Sequence, residues 1–320
     1  MNTNEHENLV STAQIDKGVR DKFEEWKNIL IGEDIHSIRK QIYEMIQDSA
    51  YFQCLNESRK YSLKDDKGEI KQNKMLHDFI NQSFFKTQLL SIRRLVDKDF
   101  LRVEKGKPYT VYSLYNLIED IKKNSNLLTR ENILSAYDFP YDYEKELSEY
   151  KKTIDCTKPY FVPFKIDSSE TLHYRIDSVT GITPDRRSPD DLIPVDILKQ
   201  FDDKLACIEE LCKYVDKYIA HAATPESRID VQSKIDSALG KVLNAHKIIC
   251  ETAHFIGNKI LFCGFGEVLP LPQYGKYGEN DLFEYLDEPI ASKETMEEIR
   301  KVWMKYWKET QDWHKNLYRE

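Results

Sequence analysis

The sequence predicts an all-α protein. Three observations carry that reading. Apolar residues recur at helical spacing over most of the 320 positions. Glycine and proline number only 11 each, too few for a fold built from many tight turns. No internal repeat or low-complexity tract interrupts the pattern. The chain is expected to form a helical bundle with one long antiparallel helix pair, an irregular insertion and a C-terminal helix.

Taken in order, "VRDKFEEWKNILIGEDIHSIRKQIYEMIQ" predicts one or two helices over residues 19–47, and "NKMLHDFINQSFFKTQLLSIRRLVD" another over 73–97. "VYSLYNLIEDIKKN" and "TRENILSAY" predict shorter ones, the second with Thr129 as its N-cap. Residues 156–194 carry five prolines and one glycine and read as an irregular insertion. The strongest periodicity follows. Leu198, Phe201, Leu205, Ile208, Cys212, Val215, Ile219 and Ala222 make one apolar stripe. Thr224 then occupies an N-cap position with Pro225 at the first helical residue. A second stripe runs through Val231, Ile235, Ala238, Val242, Ala245, Ile249, Ala253, Ile256 and Ile260. Two long helices, over 195–222 and 225–262, joined by so short a turn must be antiparallel. Gly264 and Gly266 end the pair. A last helix starts at a Ser292 cap and places Met296, Ile299, Trp303, Tyr306, Trp313 and Leu317 along one side. The expected domains are residues 20–262, with the insertion inside them, and 263–320 packed on them.

Composition narrows the function classes. The formal net charge of -8 argues against a surface that grips duplex nucleic acid over its whole extent, leaving only a local patch for RNA. No stretch of about 18 apolar residues is present, so no membrane span is expected. The N-terminal residues lack the basic and apolar regions of a signal peptide, and the six cysteines form no CxxC pair. Free thiols and a cytoplasmic location are therefore expected. His246, Cys250 and His254 share a helix side, but no further ligand completes a metal site. No cofactor motif appears.

Four short segments point further. "SIRRLVDKD" (Ser91–Asp99), "VYSLYNLIEDI" (Val111–Ile121), "LLTREN" (Leu127–Asn132) and "VDKYIAHA" (Val215–Ala222) occur in this order. Together they resemble the HEPN domain of abortive-infection (Abi) proteins, over most of residues 35–262. The resemblance implies a helical bundle, commonly dimeric, from bacterial defence or toxin–antitoxin systems, and for many members metal-independent cleavage of RNA. The family signature is an arginine, four to six intervening residues, then a histidine. The histidine takes a proton from a ribose 2′-hydroxyl, and the arginine stabilises charge on the attacked phosphate. Here His221 matches the histidine, but Val215 stands where the arginine belongs.

The resemblance therefore names His221 and Lys217 as candidate catalytic residues, with Arg93, Arg94 and Tyr218 as candidate substrate contacts. Lys217 lies on the His221 side of the helix but lacks the planar fork of arginine. Arg93 or Arg94 could supply charge from another helix or a second subunit. Arg93 also stands four residues before Asp97, the spacing of a simple helical ion pair. Two readings stay open: a ribonuclease of a defence system, with RNA as substrate, a homodimeric state and a protein partner from the same system, or a catalytically inert helical interaction or scaffold module.

Overall fold

The computed structural model describes residues 4–61, 64–68, 74–98, 102–104, 107–109, 111–155, 158–194, 196–220, 223–229, 238–270 and 293–315. The fold class is all-α, as the periodicity predicts. In chain order the helices are α1 (Asn4–Ile31), α2 (Ile38–Ser58), α3 (Lys74–Leu95), α4 (Leu114–Lys123), α5 (Arg130–Ala136), α6 (Tyr143–Thr153), α7 (Phe164–Thr180), α8 (Asp196–Ala206), α9 (Glu209–Tyr214), α10 (Ala238–Phe255) and α11 (Lys293–Lys315). Among the described residues the one sheet is a small antiparallel hairpin, β1 (Arg102–Glu104) with β2 (Lys107–Tyr109). The apolar stretch over 19–47 is two helices, α1 and α2, parted at residues 32–37. Thr129 caps α5 as expected, its side chain accepting a hydrogen bond from the Asn132 amide.

The chain forms two compact units. The first comprises residues 1–37, 116–202 and 255–265. Val19, Phe23, Trp26 and Leu30 recur along one side of α1 and are all buried, and α1 packs against α5. The stretch 156–194 corrects an expectation. It holds the 17-residue helix α7, because its five prolines fall outside residues 164–180. Pro163 stands just before α7 and Gly181, at φ 71°, closes it in the left-handed conformation. A buried ion network then ties this stretch to α5. Arg130, fully buried, donates through Nε to Asp191 Oδ2 at 2.8 Å and through Nη2 to Asp177 Oδ1 at 2.8 Å. Arg187 donates to the same Asp177 at 2.7 Å. A buried guanidinium is tolerated only with such pairing.

The second unit comprises residues 38–115, 203–254 and 266–320. Here α2 packs against α3 and α11. Ile299, Trp303 and Tyr306 of α11 are buried, so these aromatics are core residues. Ser292 and Leu317, also predicted for this helix, lie outside the described residues, as does the side chain of Met296.

The predicted long helix of 195–222 is also corrected: it is broken. Leu198, Phe201, Leu205, Ile208 and Val215 are buried as its stripe requires. At Cys207 and Ile208, however, the amides bond to Lys204 and Leu205, three residues back, which tightens the turn and ends α8. Beyond α9, residues Val215–Ala220 form a π-helical turn. In the predicted partner helix of 225–262, Thr224 Oγ1 accepts from the Ser227 amide at 3.4 Å, but what it caps is a short 3-10 turn, Glu226–Arg228. The described part of the long helix begins at Ala238; Val231 and Ile235 lie outside the described residues. The antiparallel relation does hold. Lys204 pairs with Glu251 at 3.6 Å and Glu210 with Lys241 at 3.7 Å, so one segment ascends as the other descends. A second π-helical turn, Ile256–Ile260, follows α10. Arg175 of α7 donates to the carbonyls of Asn258 and Phe262 and lies over the Phe262 ring, satisfying acceptors that a helix end leaves open.

Candidate functional site

Two of the four segments, "SIRRLVDKD" and "VDKYIAHA", meet within the second unit. Ile92, Leu95 and Val96 are buried, which anchors the last turn of α3. Arg93 beside them is directed at the DKYIA segment. Its Nε donates to Asp216 Oδ1 at 3.0 Å, and its Nη1 pairs with Asp97 Oδ1 at 2.9 Å. The cation of "RRLVD" is thus bound to the residue that follows Val215, 123 positions later in the chain. Burial works against the guanidinium charge, but the hydrogen bonds it donates to Asp97 and Asp216 outweigh it and hold the pKa above the ordinary arginine value.

Val215 itself is fully buried. An arginine at this position would bring an unpaired guanidinium into the core, so the family signature has no room here in its usual form. The helix opens into its π-helical turn at this same residue. Such turns are frequent at functional sites because they displace side chains from the regular helical surface.

A cleft of about 240 Å³ adjoins the Arg93 pair. Arg93, Lys98 and Lys213 contribute positive charge to its wall, Glu209 and Asp216 negative, with Tyr115 and Leu205 as apolar surface. Lys98 pairs with Glu209 and lies 4.6 Å from the Tyr115 ring centroid. Cys212 also lines the cleft, but burial pushes its thiol up to about 12, which removes it as a nucleophile near neutral pH.

The other predicted residues divide as follows. Lys217 donates to Ser227 Oγ at 2.6 Å. Tyr218 stacks on Tyr214 with ring centroids 4.9 Å apart, and Arg228 lies over the Tyr218 ring at 5.2 Å. Arg94 is exposed, one position round the helix from Arg93. His221, with Ala222, lies outside the described residues. The structure therefore brings Arg93 to the segment bearing Lys217 and Tyr218. Lys98, Tyr115, Glu209 and Lys213 were missed by sequence reasoning. Their only shared signal is tertiary, since about a hundred residues separate the two groups. His246, Cys250 and His254 are buried, and among the described residues no group of three or more histidine, cysteine or acidic side chains is placed to hold a metal ion.

Comparison of the chain with protein-family models, with curated proteins and with solved structures finds no match.

Proposed function

We propose that this chain is a HEPN-like protein of bacterial defence, of the abortive-infection or toxin–antitoxin type, that cleaves RNA without a metal ion. The observation that supports the reading most is the Arg93–Asp216 hydrogen bond. It joins two of the resembling segments, "SIRRLVDKD" and "VDKYIAHA", which nothing in their sequence separation requires to meet. In this reading His221 transfers the proton of the ribose 2′-hydroxyl. Lys217 and Arg93 are the candidate cations, and Tyr218, already stacked on Tyr214, is a candidate substrate contact. A homodimer with paired sites and a protein partner from the same system belong to the same reading.

A specific observation favours a second reading, a catalytically inert interaction module. Arg93 is already engaged by two carboxylates, and Val215 is buried. A guanidinium so paired must give up a partner before it can hold a phosphate.

One experiment separates the two. Wild type and His221→Ala are incubated with total RNA, with and without EDTA, after circular dichroism has established that both are folded. The ribonuclease reading expects cleavage by the wild type that persists in EDTA and falls by about a hundred- to ten-thousand-fold in the variant. Equal cleavage by both removes His221 from the mechanism. No cleavage by either folded protein selects the inert module.

A further inference from the structure

A second cleft in the same unit, about 410 Å³, lies between α2 and α3. Its walls are aromatic. Tyr51 and Phe52 come from α2, Phe79 and Phe84 from α3, and Phe52 stacks on Phe84 with centroids 3.7 Å apart. Phe79 remains 67% exposed, so an apolar ring stands uncovered in the wall. One residue does not belong in such surroundings. Gln88, wholly buried, lines this cleft, and neither its amide nitrogen nor its amide oxygen has a hydrogen-bond partner among the described residues. Leaving a buried donor and a buried acceptor unpaired on one side chain is costly, and an apolar side chain of the same size would fill the space without that cost.

We propose that this cleft binds a flat, uncharged aromatic molecule that presents a donor and an acceptor side by side on one edge, an aromatic carboxamide or lactam. The edge pairs with both halves of the Gln88 amide, while the ring lies against the aromatic walls. The remaining chemistry narrows the class. Among the described residues lining the cleft there is no lysine, arginine or histidine, and Asp48 contributes a carboxylate. An anionic ligand meets repulsion there. A purely aliphatic or aromatic hydrocarbon fits the walls but leaves Gln88 unpaired. The inference is independent of the RNA reading, because it uses neither His221 nor Arg93.

The test uses the full chain and three probes of nearly one shape, titrated calorimetrically. Benzamide offers donor and acceptor, acetophenone an acceptor alone, and benzoate a charge. The expected order is benzamide tighter than acetophenone by about tenfold or more, with benzoate not bound. Gln88→Leu, and Gln88→Met as a second variant of nearly the same length, should melt at or above the wild-type temperature and lose the preference for benzamide over acetophenone. The proposal is overturned if benzamide does not bind at millimolar concentration or if the variants keep the preference. It is equally overturned if both variants melt well below the wild type, since Gln88 is then satisfied within the fold.

Discussion

His246 shows how much a single side chain can reveal about the interior. It is wholly buried on α10, with both ring nitrogens lacking a hydrogen-bond partner among the described residues. Burial alone pushes its pKa down to about 3. The sign of the consequence is definite. Between the ordinary histidine value of 6.5 and about 3, the unfolded chain binds a proton at this residue and the folded chain does not. Stability is then complete above pH 6.5 and is lost as pH falls, by about 1.4 kcal/mol per pH unit for one such group. His254, lowered to about 4 by burial and by the neighbouring His314, acts in the same direction. Urea unfolding at pH 7.5, 6 and 5 should therefore show a steep acid loss. His246→Leu should flatten it while changing little at pH 7.5, and an identical slope in both proteins would discard this account. The sequence placed His246, Cys250 and His254 on one helix side, which is how they lie, but it could not show that His246 would meet no hydrogen-bond partner among the described residues. Spacing reports a face; it does not report what the face meets.

Helices were legible where one face carries the whole burial. The stripes of α1, α3, α10 and α11 are of that kind. The break at Cys207–Ile208 was not, because Leu205 and Ile208 keep the helical period across it and only the backbone bonding changes. The 156–194 stretch was misread for the opposite reason: its prolines flank a helix rather than occupy it. The π-helical turn Ile256–Ile260 adds a constraint that no propensity records. A Cβ built on Gly257 would lie 2.6 Å from Phe265 Cβ and 3.3 Å from Leu30 Cδ2. Gly257→Ala should cost about 1–3 kcal/mol through overpacking. Gly240, with nothing within 4 Å among the described residues, is the control, and Gly240→Ala should be neutral or stabilise by about 0.5–1 kcal/mol. Urea midpoints of the two variants decide the matter, and equal midpoints would show that the turn relaxes freely.

For the whole molecule, the all-α class was readable from composition and period, whereas the two compact units were not. Each unit is assembled from three separated stretches of chain, so no local shift in composition marks the boundary. The same holds for the candidate site. Its segments could be named one by one, but the bond between Arg93 and Asp216 is a fact of tertiary structure. That bond has an electrostatic consequence when set beside the net charge of -8. RNA binding is normally driven by ions that leave the nucleic acid when a protein's free cations replace them, which makes affinity fall steeply with added salt. Arg93 already has two carboxylates as its counterions, and they are covalently part of the protein. Any gain from releasing ions from the RNA is offset at Arg93 by the need to re-solvate or re-pair Asp97 and Asp216. RNA held at this site should therefore show a shallow salt dependence, with a log–log slope of about one or less for the Arg93 contribution, readable by filter binding from low to high potassium chloride. A steep slope would place the RNA on lysines elsewhere. A shallow one would mean that the protein keeps its own counterions and recognises RNA by shape and stacking more than by charge.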